Sequence, residues 1–339
     1  MTHIRRILVT GGAGFIGSHC VKALIEAGHH VLIFDNLSTG NRFAVDRLRH
    51  AEFVAGDVRN ATLIESTVKA FRPDAVVHFA AKAYVGESMF EPLTYFDNNV
   101  AGSINLLNAM RAGNVRKIVF SSTCAVYGLP GRCPVDETQP TNPMSPYGFT
   151  KLAVEEMLSA LARSNQLSSV ALRYFNAAGA SADASLGEWH RPETHLIPLA
   201  IRATAADAMP LRIFGTDYDT KDGTCERDYL HVEDLAKAHL AALEFLNYQA
   251  DNEIFETFNL GVGTAFSVSD VLREVEAVTG SRVAWVQASR RPGDPARVFA
   301  DPTKAEKILG WRARHGLSDM IRSTYAFERA MQQPAALGQ

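Results

Sequence analysis

The stretch that decides the fold is R-R-I-L-V-T-G-G-A-G-F-I-G, residues 5 to 17. Residues 5–10 have the composition of a buried strand, and the glycine turn after them leads into a helical pattern that stops at Gly28. Such glycines allow a tight turn, close approach to a pyrophosphate and close packing of helix on strand, and the helix N-terminus offers N–H groups to the anion. We therefore predict a dinucleotide site that includes Gly11, Gly14, Phe15, Ile16 and Gly17.

An acid at the end of the second strand indicates which dinucleotide binds. The strand H-V-L-I-F-D at residues 30–35 ends in Asp35, about 20 residues after Gly14. A carboxylate there accepts hydrogen bonds from the adenine ribose hydroxyls and repels a 2′-phosphate, which favours NAD over NADP. Asn36, Thr39 and Gly40 follow, and we expect them to line the same ribose.

The chain continues to alternate strands and helices. Strand signals at 51–57, 75–80 and 117–122 are separated by helical patterns at 62–71 and 92–112. This alternation predicts an α/β fold with a Rossmann-like, doubly wound parallel sheet, whose ligands bind at the carboxyl ends of the strands. The further residues predicted to contact the cofactor are Asp57, Val58, Phe79, Ala80, Ala81, Lys82 and Asn98.

A tyrosine and a lysine in S-P-Y-G-F-T-K, residues 145–151, carry the predicted chemistry. Tyr147 and Lys151 lie one turn apart on one face of a helix. To act as a base near pH 7, the tyrosine needs its pKa lowered from about 10 to about 7, which corresponds to about 4 kcal/mol. A unit charge at about 6 Å contributes on the order of 2.8 kcal/mol at an effective dielectric constant of about 20. A second cation is therefore needed, and an oxidised nicotinamide ring would supply it.

A hydroxyl at the end of the strand at 117–122 completes the predicted catalytic group. Thr123 points into the crevice that Tyr147 would enter. We expect it to hydrogen-bond the substrate oxygen that Tyr147 deprotonates.

Several motifs in one order carry a family resemblance. They are T-G-G-A-G-F-I-G-S-H, D-N-L-S-T-G, F-A-A-K-A-Y-V-G-E-S, F-S-S-T-C-A-V-Y-G and S-P-Y-G-F-T-K, followed by L-R-Y-F-N-A-A-G, H-L-I-P, D-G-T-C-E-R-D-Y-L-H-V-E-D-L and R-R-P-G-D-P. Together they resemble the UDP-glucose (UDP-galactose) 4-epimerase family of the extended short-chain dehydrogenase/reductase superfamily. The resemblance extends to about residue 325.

The resemblance implies a domain organisation and an assembly. Residues 1–176 would form the NAD-binding domain, with returning segments near 211–240, and residues 177–339 mainly a smaller, partly interleaved α/β domain for the nucleotide sugar. A homodimer would form through the helices around 92–112 and 147–164. Four apolar residues on those helices either serve that interface or face the sheet, namely Leu106, Leu107, Leu152 and Leu158.

The resemblance also assigns substrate contacts in the second half of the chain. Arg227 and Arg291 would hold the substrate diphosphate, and guanidinium groups suit phosphate oxygens. His195 stands where other members carry Asn. The remaining implied contacts are Asn176 and Leu196 on the substrate, Asp294 on the ribose or uracil, Val298 at the position whose bulk decides whether an N-acetyl group fits, and Phe175 on the cofactor.

The implied reaction is reversible inversion at carbon 4 of a UDP-hexose. Tyr147 would take the proton of the 4-hydroxyl while carbon 4 passes a hydride to tightly bound NAD, and the 4-keto sugar would turn before the hydride returns. Lys151 would bond the nicotinamide ribose. A 4,6-dehydratase is disfavoured, because it needs an Asp-Glu pair where Cys124 and Ala125 stand. UDP-N-acetylhexosamine and UDP-xylose or arabinose remain alternative substrates, and a non-catalytic NAD-binding regulator is a remote alternative.

Composition limits the other classes of protein. The 339 residues carry a formal net charge of −3, with 47% hydrophobic and 21% charged residues, which suggests neither a nucleic-acid nor a membrane partner. The first apolar run leads into the glycine turn, so we expect a buried strand rather than a signal peptide, and a cytoplasmic protein. The four cysteines form no C-x-x-C pair, and the eleven histidines show no H-x-x-x-H spacing, so we predict reduced thiols and no metal.

Overall fold

The computed structural model describes residues 5–249, 253–291 and 293–332. Within this part of the chain the strands are β1 (Arg6–Thr10), β2 (His30–Asp35), β3 (Glu52–Ala55), β4 (Ala75–His78), β5 (Lys117–Ser121), β6 (Ser168–Tyr174), β7 (Asn176–Ala178), β8 (Leu211–Phe214), β9 (Glu226–Arg227), β10 (Tyr229–His231), β11 (Phe255–Leu260), β12 (Phe266–Ser267), β13 (Trp285–Ala288) and β14 (Arg297–Val298).

The helices alternate with these strands. They are α1 (Phe15–Glu26), α2 (Arg42–Arg47), α3 (Ala61–Phe71), α4 (Val85–Ser88), α5 (Pro92–Tyr95), α6 (Gly102–Ala112), α7 (Pro146–Arg163), α8 (Leu196–Arg202), α9 (Val232–Tyr248), α10 (Val268–Thr279), α11 (Thr303–Leu309) and α12 (Leu317–Gln332), with a π-helical turn at Phe96–Ala101 and a 3-10 turn at Cys124–Tyr127. No helix in the described ranges is long and apolar enough to cross a bilayer.

A seven-stranded sheet forms the centre of the molecule. Its order is β3-β2-β1-β4-β5-β6-β11, and every neighbouring pair is parallel. The predicted doubly wound sheet is confirmed. From β1 the chain first adds β2 and β3 on one side of the sheet and then returns to add β4 on the other side. In such sheets ligands bind in the crevice between the two strands where the order changes, here β1 and β4. The sequence alone did not predict β11, which joins the sheet from a distant part of the chain.

Helices cover both faces of this sheet. Along β1, Ile7 and Val9 pack in one hydrophobic cluster with α1 and α9, whereas Leu8 packs in the other cluster with α3, α6 and α7. Apolar side chains on both faces explain why this strand is an uninterrupted hydrophobic run.

The four leucines that could serve a dimer interface pack toward the protein interior. Leu106 and Leu158 are fully buried in the cluster shared by α3, α6 and α7. Leu107 packs against the same cluster, and Leu152 packs against a smaller cluster around Val126. The alternative in which these leucines face the interior is therefore the one that the structure supports.

The second half of the chain builds a smaller layer beside the sheet. Helices α8, α10 and α12 share a hydrophobic cluster, and β8 pairs with β13 while β9 pairs with β12 and β14. Of the segments near 211–240, β8 lies outside the central sheet, whereas α9 packs on it.

The long helix predicted at 92–112 is helical throughout but contains a π turn. Asn99 lies buried in that turn, where its Oδ1 accepts a hydrogen bond from Lys82 N at 2.8 Å. Its Nδ2 donates to Lys82 O at 3.0 Å and to Thr150 Oγ1 at 3.0 Å. The turn therefore ties the loop after β4 to α7, and π turns are frequently found at functional sites.

A buried ion pair joins α7 to the sheet. Arg173 Nη2 lies 2.5 Å from Glu155 Oε2, and Arg173 Nε donates to Glu155 Oε1 at 3.0 Å. Ser122 Oγ also donates to Glu155. Arg173 Nη1 donates to the Tyr127 hydroxyl at 2.9 Å, which in turn donates to Asn259 Oδ1 at 2.7 Å. The network fixes α7, β6 and β11 relative to each other.

Replacing Arg173 by Met should cost about 3–5 kcal/mol of unfolding free energy, because Glu155 would stay buried without its counter-charge. Urea unfolding measures this loss. The control is Arg42→Met, which breaks an exposed pair with Asp46 and should cost less than about 1 kcal/mol. A loss of less than about 1 kcal/mol in Arg173→Met would contradict the structural role of the pair.

Candidate active site

The glycine turn between β1 and α1 lies against the loop after β4. Gly11 has φ +74°, and a Cβ there would lie 2.5 Å from Ala80 N. A Cβ on Gly17 would lie 2.2 Å from Gly11 O. Gly14 is the N-cap of α1 and has no side chain to bond the first-turn N–H groups. Phe15 and Ile16 open the helix, so backbone donors face the crevice where a pyrophosphate would bind.

Polar groups at the ends of β2 and β3 form a rim beside this turn. Asp35 accepts hydrogen bonds from Ala13 N at 3.0 Å and Leu37 N at 2.8 Å. Burial raises the pKa of Asp35, and these two bonds oppose that shift. Asn36 donates to Asp57 Oδ2 at 2.9 Å, and a hydrogen bond from Arg59 holds the pKa of Asp57 below its usual range.

The loop over Asp35 and the helix below Asp57 complete this part of the crevice. A Cβ on Gly40 would lie 3.0 Å from Asp35 Oδ1, and Thr39 beside it is exposed. Val58 is buried, and its side chain packs close to Gly102 in α6. Gly40 therefore lies beside Asp35 with Thr39 next to it in the chain, whereas the Val58 side chain faces the core.

The loop after β4 borders the crevice. It contains two small residues, Ala80 and Ala81, between Phe79 and Lys82. The backbone N–H groups of Phe79 and Ala80 both donate to Thr10 O, at 2.9 and 3.1 Å, and Ala81 follows. The Phe79 ring packs on His239 with the ring centroids 4.7 Å apart. Lys82 Nζ lies 3.4 Å from Glu87 Oε1.

Two neighbouring asparagines in the π turn have different hydrogen-bond partners. Asn98 donates to Asn99 Oδ1 at 3.0 Å, while Asn99 itself holds the Lys82 backbone. Asn99 was not predicted. Its buried amide, bonded to two separate segments, is the signal that the structure adds.

Tyr147 lies in the first turn of α7 and is only 9% exposed. Ser145 caps this turn by accepting a hydrogen bond from Gly148 N at 3.2 Å, and Pro146 follows the cap. Burial raises the pKa of Tyr147 to about 12, while a hydrogen bond with Thr123 acts in the opposite direction. In the protein alone the phenol is therefore protonated at neutral pH.

Lys151 is buried one turn further along α7. Its Nζ donates to Ser121 O at 2.7 Å and lies 4.8 Å from the centre of the Phe120 ring. Burial lowers the pKa of Lys151 to about 7, and Glu155 opposes that shift. At neutral pH Lys151 therefore carries less than the full unit charge predicted for it from the sequence. The need for a second positive charge near Tyr147 is correspondingly larger.

Thr123 brings the end of β5 to the same place. It is the N-cap of the 3-10 turn, and its Oγ1 accepts a hydrogen bond from Ala125 N at 3.1 Å. The neighbouring Cys124 is half-buried. Its partial removal from water raises the pKa of its thiol, and the positive charge of Arg227 opposes that shift. Cys124 packs against the same small hydrophobic cluster as Val298, and Val298 is the strand partner of Arg227.

The structure groups three of the predicted substrate residues. Arg227 Nη1 donates to Pro295 O at 2.8 Å, and Nη2 lies 3.5 Å from Asp294 Oδ1. Val298 is the direct partner of Arg227 in the pairing of β14 with β9. Arg291 is exposed and its guanidinium stacks 4.0 Å above the Phe214 ring.

Two more predicted residues lie at the ends of neighbouring strands. Asn176 Nδ2 donates to Asp228 O at 2.9 Å, so its Oδ1 is the amide atom left to accept a bond. Phe175 is buried beside it, against the cluster around Val126.

His195 faces two carboxylates, and Leu196 packs partly against the cluster of α8, α10 and α12. His195 Nδ1 lies 2.7 Å from Glu188 Oε1 and 2.9 Å from Glu193 Oε1. Burial alone would lower the pKa of His195, but the two carboxylates raise it to about 10. Glu188, His190 and Glu193 were not predicted, although the spacing E-x-H-x-x-E-x-H at 188–195 is visible in the sequence.

This geometry agrees with comparisons across known proteins. A profile of the NAD dependent epimerase/dehydratase family matches residues 7–261. The chain belongs to this family. Curated family members named UDP-glucose 4-epimerase include one from Lacticaseibacillus casei, 46% identical over 94% of this chain and 95% of its own length. Another, from Lactobacillus helveticus, is 43% identical over 96% of this chain and 97% of its own length.

Solved structures of family members show the same fold. A UDP-glucose-4-epimerase from Stenotrophomonas maltophila, with bound NAD and formylated UDP-arabinopyranose, has a TM-score of 0.93 and 44% identity, over 97% of this chain and 99% of the other. A UDP-Glc/GlcNAc 4-epimerase from Campylobacter jejuni has a TM-score of 0.83 and 39% identity, over 96% and 99%.

Replacing Asp35 by Asn should weaken NAD binding by about 10- to 100-fold, because hydrogen bonds to a charged acceptor contribute about 1.5–3 kcal/mol. The preference for NAD over NADP should also fall, because the substitution removes the charge that repels a 2′-phosphate. Titration calorimetry with both dinucleotides measures the two effects.

The matched control for this family member is Asp46→Asn, which changes an exposed acid of α2 and should leave both affinities unchanged. Circular dichroism checks that Asp35→Asn still folds, since Asp35 also bonds two backbone N–H groups. Unchanged affinity and unchanged preference in a folded Asp35→Asn protein would show that this acid does not contact the ribose.

Proposed function

We propose that this protein is a UDP-glucose 4-epimerase that interconverts UDP-galactose and UDP-glucose through a 4-keto sugar, with NAD bound. The observation that carries the proposal is the grouping of Thr123, Tyr147 and Lys151 at the carboxyl end of β5. This group lies at the crevice of a doubly wound sheet. The identity of 43–46% to relatives of that name supports it.

The residues along the crevice suit NAD. The glycine turn would receive the pyrophosphate, Asp35 would accept the adenine ribose hydroxyls, and Lys151 would bond the nicotinamide ribose. When bound, NAD supplies an acceptor for the hydride of sugar carbon 4 and a donor for its return. Because Asp35 is held by two backbone N–H groups, its carboxylate is already oriented before a ligand arrives.

Tyr147 would move the proton of the sugar 4-hydroxyl. With a pKa of about 12 in the protein alone, its phenol must be acidified by a positive charge in the crevice before it can accept that proton. Thr123, which caps the turn after β5 close to Tyr147, would orient the same hydroxyl. When the proton returns from Tyr147 to the oxygen on carbon 4, the tyrosine is ready for the reverse direction.

The charged groups of the second half would hold the UDP part of the substrate. Arg227 is anchored by a backbone carbonyl and by Asp294, so its guanidinium is positioned before binding. The Arg291 guanidinium lies 4.0 Å from the centre of the Phe214 ring and would offer N–H groups to phosphate oxygens. Contacts concentrated on the diphosphate leave the hexose free to turn, which inversion at carbon 4 requires.

Sugars other than a simple hexose form the second candidate. Val298 is smaller than the tyrosine that would close the pocket, and it is paired with Arg227 on the neighbouring strand. The structural neighbours include a UDP-Glc/GlcNAc 4-epimerase. We therefore keep UDP-N-acetylhexosamine and the UDP-pentoses as further substrates to be tested. Dehydration is disfavoured, since Cys124 and Ala125 stand where a 4,6-dehydratase needs an Asp-Glu pair.

Purified protein incubated separately with UDP-galactose, UDP-N-acetylgalactosamine and UDP-xylose should convert UDP-galactose to UDP-glucose, as separated by chromatography. Tyr147→Phe should retain NAD and lose turnover by about 10²- to 10⁴-fold, the usual contribution of a positioned base.

The matched control is Tyr248→Phe, which changes an exposed tyrosine and should keep full turnover. No conversion of any of the three sugars by the NAD-bound protein would reject the proposed function. Undiminished turnover in Tyr147→Phe would reject Tyr147 as the base while leaving the function intact.

We also propose that the protein is a homodimer. Large apolar side chains are exposed along α5, the π turn, α6 and α7, with Phe90 85% and Leu93 81% exposed just at the start of this face. Phe96, Ile104 and Phe149 continue it. An apolar face of this kind is typical of a protein interface.

The expected activity belongs to galactose metabolism in the cytoplasm, where the four free cysteines would remain reduced.

Leu93→Asp should convert the dimer to a monomer, because a buried, unpaired charge at the interface is costly. Sedimentation velocity measures the mass. Met209→Asp is the control, since Met209 is equally exposed but lies outside this face, and that variant should remain dimeric. A wild-type protein that sediments as a monomer at micromolar concentration would contradict the proposed assembly.

A further inference from the structure

Four metal-ligating side chains meet in the loop between β7 and α8. They are Glu188, His190, Glu193 and His195, called here the Glu-His cluster. One donor atom from each lies within 4.8 Å of all the others. The cluster is distinct from the residues assigned to proton transfer, although His195 was also predicted to contact substrate.

The distances within the cluster are close to those of a tetrahedral metal site. Metal bonds of about 2.0–2.1 Å place the ligand atoms of a tetrahedron roughly 3.3 Å apart. His195 Nδ1 lies 2.7 Å from Glu188 Oε1 and 2.9 Å from Glu193 Oε1. His190 Nδ1 lies 3.4 Å from Glu188 Oε1 and 3.9 Å from Glu193 Oε2. Small side-chain rotations would therefore bring four ligands onto one ion.

Two donor atoms in the cluster are buried and have no hydrogen-bond partner in the part of the chain that the structure describes. They are Glu193 Oε2 and His190 Nδ1. The Glu193 side chain is only 1% exposed. Its Oε1 accepts from Thr194 N at 2.8 Å and His195 N at 3.0 Å, which orients Oε2 toward His190. A buried carboxylate oxygen without a partner is costly, so an ion at this position would satisfy it.

We propose that the Glu-His cluster binds one divalent transition-metal ion, with Zn²⁺ as the reference ion, through both carboxylates and both imidazoles. Two carboxylates balance the charge of a divalent ion, and nitrogen and oxygen donors together suit Zn²⁺. The competing arrangement is an ion-pair network without metal, in which both histidines are protonated. That arrangement satisfies His195, but it leaves His190 Nδ1 3.4 Å from Glu188 Oε1 and 3.9 Å from Glu193 Oε2, which is longer than a charge-assisted hydrogen bond.

Four protein ligands make a closed site, which is typical of a structural metal. The ligands span residues 188–195, and His195 is the N-cap of α8. The ion would therefore fasten this loop to the start of α8. The His190 ring also meets the Tyr84 ring edge to face, with the centroids 6.0 Å apart, which connects the loop to the segment after β4. The inference does not depend on the proposed reaction.

The test measures bound metal rather than activity. The full-length, NAD-bound protein is treated with a chelator, dialysed against Zn²⁺ and then analysed by elemental mass spectrometry and competitive titration. We expect one Zn²⁺ per chain. Glu193→Gln and His190→Ala should each weaken Zn²⁺ affinity by at least the roughly 10- to 100-fold that loss of an outer-shell partner causes. His50→Ala, which changes an exposed histidine outside the cluster, should bind as the wild type does.

Cobalt distinguishes this site from the cysteines. Co²⁺ in the Glu-His cluster should show the weak visible bands of nitrogen and oxygen ligands, without the strong near-ultraviolet absorption of thiolate ligands. Failure of the wild type to bind Zn²⁺, or thiolate absorption with Co²⁺, would overturn the proposal. The proposal would also be overturned if folded Glu193→Gln and His190→Ala bound Zn²⁺ as tightly as the wild type. If circular dichroism shows that one of these two variants does not fold, Glu188→Gln is tested in its place.

Discussion

The burial of Tyr147 and Lys151 is the constraint on which the rest of the site depends. Removing both side chains from water disfavours their charged forms, so the tyrosine pKa rises to about 12 and the lysine pKa falls to about 7. Tyr147 is therefore protonated in the protein without a ligand. Under its proposed role as base, a positive charge brought by a ligand must ionise Tyr147, which would confine the reactive phenolate to the cofactor-bound protein. The same water-excluded pocket strengthens the effect of that charge.

Keeping these two side chains buried and oriented requires support from several elements. Glu155 and Arg173 lock α7 to β6, and Ser121 O holds the lysine at the end of β5. On the other side of α7, Asn99 bonds both Thr150 and the backbone of the loop after β4. Polar groups that are buried but fully bonded make the site rigid, and rigid placement is what a proton-transfer geometry needs.

Local patterns in the sequence were enough to predict much of this structure. The glycine turn, Asp35 and the helix that starts at Pro146 follow from short-range signals, and they lie where those signals place them. The pairing of β11 with β6 did not follow, because strand neighbours distant in sequence leave no local pattern. The interior position of Leu106 also depended on packing. Similarly, the pKa of Lys151 depends on burial, which only the assembled fold determines.

One strand pairing connects the residue proposed to select the sugar with the residue proposed to bind the diphosphate. Val298 and Arg227 are direct partners on adjacent strands, and Asp294 on the approach to β14 pairs with the same arginine. Under the proposed roles, the residue that sets the size of the sugar pocket and the residue that grips the diphosphate are fixed to each other by backbone hydrogen bonds. Side-chain volume at 298 can then change without moving the guanidinium. This separation would allow members of the family to accept different sugars while they keep one mode of binding UDP.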